Sequence, residues 1–226
     1  MKNRSKKREL LDEGNIPFED IVQNLKELDF INSYLGGHKI TYSGIENLLN
    51  NNKNNIVEIG CGGGDNLAYI HKKLVSKKID FSLQGIDIKK TCVDYANSKN
   101  NIAKYIYEDY KDVEFDTKPT IIFSSLFCHH FNEQEIIEQL KWMQKNAVNG
   151  FFINDLQRNS IAYFLIKILS MLFSKSYLVK HDAPLSVARA YTKKEWRKML
   201  ELAEIKSFSI QWKWAFRYLI VVKNDR

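Results

Sequence analysis

From residue 55 onward, short apolar runs alternate with amphipathic segments, and this rhythm constrains the fold more than any single motif. The runs are NIVEIG, FSLQGID, NIAKYIYED, PTIIFSSL and VNGFFINDL. Between them the spacing predicts helices over about 66–75, 91–98 and 133–145. Strands with continuous apolar runs, joined by segments long enough to cross over, pair in parallel and carry helices on both faces. Two helix starts are written into the chain. Asn132 is followed by Glu135 and Thr192 by Glu195, the spacing at which a cap oxygen and a returning carboxylate satisfy free amides. After the helix TKKEWRKMLELAE, the runs IKSFSIQWKW and RYLIVVKN are separated only by Ala215 and Phe216. That is too short for a crossover and requires an antiparallel pair. The fold class expected is α/β, a doubly wound sheet with an antiparallel C-terminal pair.

Residues 1–53 read as an N-terminal helical segment packed on the core, with Ile21, Leu25, Leu28 and Ile31 on one apolar face. Residues 54–226 carry the main domain, and 156–190, which breaks the sheet rhythm, is expected to be an inserted helical cap. At 226 residues the chain suffices for one domain with a real core. Of its formal charge of +7, Lys2, Arg4, Lys6, Lys7 and Arg8 supply five positive charges in the first eight residues, which reads as a frayed, solvated tail. No apolar segment follows the tail, so it is not a signal peptide, and the expected location is cytoplasmic. The longest apolar stretch, IAYFLIKILSMLF at 161–173, is too short to span a bilayer. Cys61, Cys92 and Cys128 form no C-x-x-C pair and are expected to be buried free thiols.

The first apolar run ends in VEIGCGGGDN, residues 57–66. A dinucleotide fingerprint would need a third glycine at position 65, where Asp65 stands, so that pattern fails. Glu58 followed by Gly60, Gly62 and Gly64 instead resembles motif I of the class I S-adenosylmethionine-dependent methyltransferases. The resemblance implies a Rossmann-like sheet of seven strands and S-adenosyl-L-methionine as cofactor, with S-adenosyl-L-homocysteine as product. The physical reading runs in parallel: glycines let backbone approach a ligand, and amides opening a helix favour a carboxylate. Asp87, closing the second run, is placed to accept hydrogen bonds from ribose hydroxyls, with Ile88 beside adenine. Asp109, in YEDY, occupies the position at which family members commonly hold the adenine amino group, followed by Tyr110, with Glu108 as a substitute. Cys61 in the loop and Leu126 after the fourth run complete the expected cofactor surface.

The segment SSLFCHHF, 124–131, resembles the corresponding stretch of small-molecule methyltransferases related to the ubiquinone and menaquinone biosynthesis enzymes. His130, and less so His129, is a candidate general base for an acceptor hydroxyl, since imidazole titrates near neutrality. Consecutive residues lack the spacing of a helical metal pair and should diverge, so no metal is expected there. Asp155, beside Asn154 at the end of the fifth run, and His181, in KHDAPLSVARA with Asp182, Arg189 and Tyr191, are further catalytic candidates.

A narrower resemblance extends over IPFEDIVQNLKELDFINSYLGGHKIT, NDLQRNSIAYFLIKILSMLFS, HDAPLSVARAYT and WAFRYLIVV, which look like bacterial methyltransferases found beside type III polyketide synthases. It implies secondary metabolism and methylation of a small, lipophilic aromatic or polyketide-derived acceptor at a hydroxyl oxygen. Tyr163, Phe164, Leu172 and Phe173 are then expected to line the acceptor pocket beneath the cap. The rivals are C-methylation of a quinol-like ring, a nucleic-acid methyltransferase, which lacks any D-P-P-Y-like tetrapeptide here, and a non-catalytic module that only binds the cofactor. Lys167 and the basic tail leave room for weak contact with a membrane surface or a biosynthetic partner. The oligomeric state is not legible.

Overall fold

The computed structural model describes residues 1, 3–99 and 101–224; Lys2 of the basic tail lies outside the described residues. The chain order is α1 (Phe18–Tyr34), α2 (Gly37–Glu46), β1 (Asn54–Ile59), α3 (Asp65–Ser76), β2 (Phe81–Asp87), α4 (Lys90–Lys99), β3 (Lys104–Tyr107) and β4 (Ile121–Ser125), continuing with α5 (Glu133–Asn146), β5 (Gly150–Leu156), α6 (Ser160–Phe173), α7 (Tyr177–Arg189), α8 (Lys193–Leu202), β6 (Phe208–Lys213) and β7 (Arg217–Lys223). Short 3-10 turns occupy Leu10–Asp12 and Cys128–His130.

The seven strands form one sheet in the order β3-β2-β1-β4-β5-β7-β6. The first five pair in parallel, while β7 runs antiparallel to both β5 and β6, as the short connection before it required. Side-chain alternation divides the interior into two layers. Val57, Ile59, Ile122, Phe151, Ile153, Ile220 and Val222 pack toward α5 and α8, which contribute Leu140, Met143, Trp196 and Met199. Ile56, Ile121, Phe123, Phe152, Leu219 and Val221 pack on the other face with Ile45 of α2 and Leu67, Ile70 and Leu74 of α3. Successive residues of a strand point to opposite faces, so one apolar run supplies both layers. Each wholly buried aliphatic side chain contributes roughly 1.5–3 kcal/mol.

Both capping boxes are formed: Asn132 with Glu135 opens α5, and Thr192 with Glu195 opens α8. All three cysteines are free and buried. Residues 160–189 fold as the pair α6 and α7, lying between β5 and α8 in sequence. The HDAPLSV stretch is helical even though Pro184 lies inside α7, because Leu178, Val179 and Val187 bury against the body and outweigh the lost backbone bond. No helix among the described residues is long and apolar enough to cross a membrane.

The N-terminus departs from the sequence reading. The described part of the basic tail is anchored to the folded body at Arg4 and Ser5, whereas Lys6, Lys7 and Arg8 keep exposed side chains as expected. Arg4 donates to the carbonyls of Arg189, His129 and Phe131, and its guanidinium lies 4.3 Å from the Tyr191 ring centroid. Ser5 N donates to Ala188 O, and Asp182 accepts from the amides of Leu10 and Leu11 at 2.8 and 2.9 Å. The segment before α1 is therefore a strap held across α7.

Candidate active site

Strand order reverses between β1 and β4, and a crevice opens at their carboxyl ends, where ligands bind in open α/β sheets. Glu58, Gly60, Cys61, Gly62, Asp87, Ile88 and Leu126 all line this cavity of about 420 Å³. Gly60 and Gly62 have φ of +67° and +51°, a region that disfavours side chains. A Cβ on Gly60 would lie 2.2 Å from the Phe127 ring, whereas one on Gly62 would meet only Leu25, at 3.5 Å. The loop's backbone is thus bared toward the cavity at Gly62.

Glu58 is 1% exposed. Its Oε1 accepts from Asn66 Nδ2 at 2.8 Å, and Asn66 Oδ1 lies 2.8 Å from His38 Nδ1, which ties the carboxylate to α2. Glu58 Oε2 is buried without a partner. Burial raises this carboxyl well above its ordinary value, with Asp65 and Asp87 adding to the effect. Asp87 bridges two loops, its oxygens accepting from Gly62 N at 2.8 Å and Lys89 N at 2.9 Å; burial lifts its pKa and these amides offset part of the rise. Gly64 caps α3 with φ +73° but does not line the cavity. Asp109 and Tyr110 do not line it either. Asp109 is exposed and accepts from Lys111 N in a turn, while Tyr110 is buried edge-on to Trp142. Glu108 is exposed beside them.

A second cavity of about 260 Å³ lies beside the first under α6 and α7. Its walls are largely apolar, among them Ile31, Leu35, Leu165, Leu169, Val187 and Phe216. The two chambers share Leu11, Leu28, Leu126 and His130. The face of α6 turned inward differs from the one expected. Ala162, Leu165, Ile166 and Leu169, at helical spacing, line the chamber, whereas Phe164, Leu172 and Phe173 point outward and are 61–77% exposed; Tyr163 does not line it. An apolar stretch on all sides does not reveal which face packs.

At the junction the structure gathers titratable groups. His129 Nδ1 is 2.8 Å from Asp155 Oδ1, and the His129 amide donates to Asp155 Oδ2. Burial pushes the Asp155 carboxyl up, but the His129 imidazole and the Leu156 amide outweigh it and hold the group below its ordinary range. His130 Nδ1 is 2.9 Å from Asp12 Oδ1. Burial works against the Asp12 charge too, but His130 and Arg189 bring that carboxyl down to about 2. The two rings lie against each other, centroids 4.4 Å apart, and Glu9, 3% exposed, meets their Nε2 edges at 3.7 Å each while accepting from Ser186 Oγ at 2.9 Å. Burial pushes Glu9 up to about 7, with His130 and Ser186 resisting the rise. Arg189 clamps the arrangement by donating to the carbonyls of His129, His130 and Lys7.

Among the catalytic candidates, His129, His130 and Asp155 come together here. His181 does not: its side chain is half-exposed, lines neither chamber and pairs with the adjacent Asp182. Asn154 is buried and donates to Gly37 O and Thr41 Oγ1, fastening α2 to β5. Sequence reasoning passed over Glu9, Asp12 and Arg217. Glu9 and Asp12 flank Leu10 and Leu11 directly after the basic run, and that apolar interruption of the tail was the one signal for them. Arg217, 3% exposed, donates to Asn32 Oδ1 at 2.9 Å while lining the apolar chamber, and burial lowers its pKa to about 10.

Residues 56–148 match the family profile described as a methyltransferase domain. No curated protein matches the chain in sequence. Solved structures do match. The plantazolicin methyltransferase in complex with S-adenosylhomocysteine superimposes with a TM-score of 0.67 at 21% identity, over 92% of this chain and 90% of that one. Human N-acetylserotonin methyltransferase with S-adenosylmethionine gives 0.66 at 11%, over 93% and 57%. The magnesium protoporphyrin IX methyltransferase of Synechocystis PCC 6803 with bound S-adenosylmethionine gives 0.51 at 13%, over 94% and 86%. At these identities the likeness is one of fold, and the fold is the class I methyltransferase sheet.

Proposed function

We propose that this chain, a methyltransferase by its domain and using S-adenosylmethionine as donor, methylates a small, lipophilic aromatic or polyketide-derived acceptor at a hydroxyl oxygen. The observation that carries this reading is the apolar chamber meeting the cofactor crevice at Leu11, Leu28, Leu126 and His130. A greasy acceptor fits such walls, and its hydroxyl would lie where the polar groups converge.

The crevice residues fit the cofactor. Glu58 Oε2, a buried acceptor without a partner, suits the methionyl ammonium, and the bared backbone at Gly62 leaves room for its approach. Asp87 would hold the ribose diol and Ile88 would cover the adenine, with Cys61 and Leu126 completing the walls. Asp109 and Tyr110 remain assigned to the adenine end on motif position alone. When bound, the cofactor supplies an electrophilic methyl group on a sulfonium. Transfer of that methyl group to the acceptor oxygen would break the carbon–sulfur bond and leave its electron pair on sulfur, with the crevice residues holding the donor and the apolar chamber holding the acceptor.

What the chain contributes is alignment, dryness and an outlet for the proton. The partly exposed leucines at the junction would be covered by a bound acceptor and then exclude water, and positioning alone can supply effective molarities of roughly 10⁵ M or more. The hydroxyl proton leaves into the cluster of Glu9, His129 and His130, an effect worth about 10²-fold. The narrower likeness to methyltransferases beside type III polyketide synthases supports a role in secondary metabolism.

The test is incubation of the purified chain with labelled S-adenosylmethionine and a panel of alkylresorcinols, quinols and pyrones, with the product read by NMR. A labelled methoxy group is the expected result. A ring methyl would replace oxygen by carbon as the acceptor, label appearing only in RNA would overturn the small-molecule reading, and affinity without turnover would mark a binding module.

A further inference from the structure

We infer that Glu9, His129 and His130 form a binding site for one divalent ion of the zinc class at the junction of the two chambers. The site stands on its own geometry; only its part in catalysis rests on the function proposed above.

The three ligand atoms lie within 4.8 Å of one another. Glu9 Oε1 is 3.7 Å from His129 Nε2, and Glu9 Oε2 is 3.7 Å from His130 Nε2. Neither spacing is a hydrogen bond. Both are a few tenths of an ångström wider than the ~3.4 Å that separates two ligands each ~2.05 Å from a tetrahedral ion. Each imidazole meets a different Glu9 oxygen and the widest separation in the set is up to 4.8 Å, so closing round one ion takes rotation of the rings and the carboxylate together.

The second observation concerns the far side of each ring. His129 Nδ1 meets the Asp155 carboxylate at 2.8 Å, and His130 Nδ1 meets Asp12 at 2.9 Å. A carboxylate at Nδ1 places the ring proton there and leaves the lone pair on Nε2, the pattern that orients metal-binding histidines. Both lone pairs then face Glu9. Adjacent histidines can converge because they sit on a 3-10 turn, pinned by Asp155 at the His129 amide and by Arg189 at both carbonyls. Glu9 is steadied by Ser186.

Four carboxylates, Glu9, Asp12, Asp155 and Asp182, meet here with the guanidinium groups of Arg4, Arg158 and Arg189, and Arg189 Nε lies 3.9 Å from Glu9 Oε1, so an ion would share that carboxylate with Arg189. Two imidazoles and a carboxylate suit zinc or a similar transition ion, whereas magnesium and calcium prefer sets made wholly of oxygen. Three protein ligands leave a coordination position open, and these side chains line the acceptor chamber. With the ion bound, Glu9, His129 and His130 act as ligands rather than as proton acceptors; an acceptor hydroxyl taking the open position would pass its proton to water in the adjoining crevice more readily, and the oxygen's lone pair would remain for attack on the methyl group.

The experiment strips the full chain with EDTA, titrates it with zinc chloride by calorimetry and loads a second sample with cobalt chloride for visible absorption. We expect one zinc per chain at micromolar affinity or tighter, and cobalt bands of a four- or five-coordinate centre. His130→Ala, which removes a partly exposed side chain, and Glu9→Gln should each weaken binding at least tenfold, and Asp12→Asn about 10- to 100-fold through the ring it orients. Circular dichroism of each variant separates loss of the site from loss of fold. Absence of saturable binding, or binding undiminished in the Glu9→Gln/His130→Ala double variant, overturns the site. Labelled methyl transfer is followed in parallel: transfer without zinc binding removes the site alone, and zinc binding without transfer removes the proposed function alone.

Discussion

His129 Nδ1 lies 2.8 Å from Asp155 Oδ1, while the amide of the same histidine donates to Asp155 Oδ2 at 3.0 Å. One buried carboxylate at the end of β5 therefore sets both the ring and the backbone of the residue at the chamber junction. Asp155→Asn keeps the shape but presents a carboxamide that can offer a donor to Nδ1 and shift the ring proton to Nε2. We expect turnover to fall about 10- to 100-fold with little change in cofactor affinity. Steady-state kinetics beside calorimetry check this; equal losses in both would mean that Asp155 merely supports the fold.

Asp87 and Asp109 separate on position. Asp87 lines the crevice and accepts from Gly62 N, so Asp87→Ala should weaken S-adenosylmethionine by about 1–3 kcal/mol, the scale of losing hydrogen bonds to a charged group. Asp109 is exposed in a turn outside the walls, and its alanine variant should lose less. Calorimetric titration of both variants decides, and an Asp87→Ala chain with undiminished affinity would end its ribose assignment.

Gly60→Ala should damage the site through shape. Its φ of +67° costs a side chain roughly 1–3 kcal/mol of strain, and the new Cβ would press on Phe127, which also lines the crevice. A lowered melting temperature together with lost cofactor binding is expected. Gly62→Ala, which meets only Leu25 at 3.5 Å, should bind poorly but pack with less disturbance.

Glu27 ties α1 to the turn between α6 and α7, accepting from Ser174 Oγ, Lys175 N, Ser176 N and Gln23 Nε2. Burial works against its charge, but these donors prevail and hold the carboxyl below its ordinary value of 4.5. A group depressed in the folded chain stabilises it fully above that ordinary value, and the contribution disappears as pH falls through the lower folded one. Hydrogen bonds to this part-exposed carboxylate, discounted for solvent screening, are worth ~1 kcal/mol, which is ~2–4 °C in a chain of this length. Glu27→Gln should therefore melt lower than the parent at pH 7, and the gap should close toward pH 3. Thermal melts across that range measure it; a gap that widens in acid would contradict the assignment.

The sheet was legible because its signals are local or periodic. Apolar runs alternating with helices gave the parallel strands, the three-residue spacing from Asn132 to Glu135 and from Thr192 to Glu195 gave two helix starts, and the short link before Arg217 gave the antiparallel pair. The crevice was legible for a related reason: Glu58, the glycines and Asp87 sit at the ends of neighbouring strands, so their order along the chain maps onto their order in space.

The apolar chamber and the polar cluster at its mouth were not. Glu9 meets His129 although the two are 120 positions apart in the chain, and no periodicity reports a contact of that separation. Nor does a helix apolar on most sides disclose that Leu165 and Leu169 face the chamber while Phe164 and Phe173 face outward. By itself the amino-acid order determined the scaffold and the glycine loop, since hydrogen-bond rings and strand pleats act over a few residues. Only tertiary packing decided which strap carboxylate meets which histidine, because that choice depends on how α7 and the N-terminal segment bury against each other.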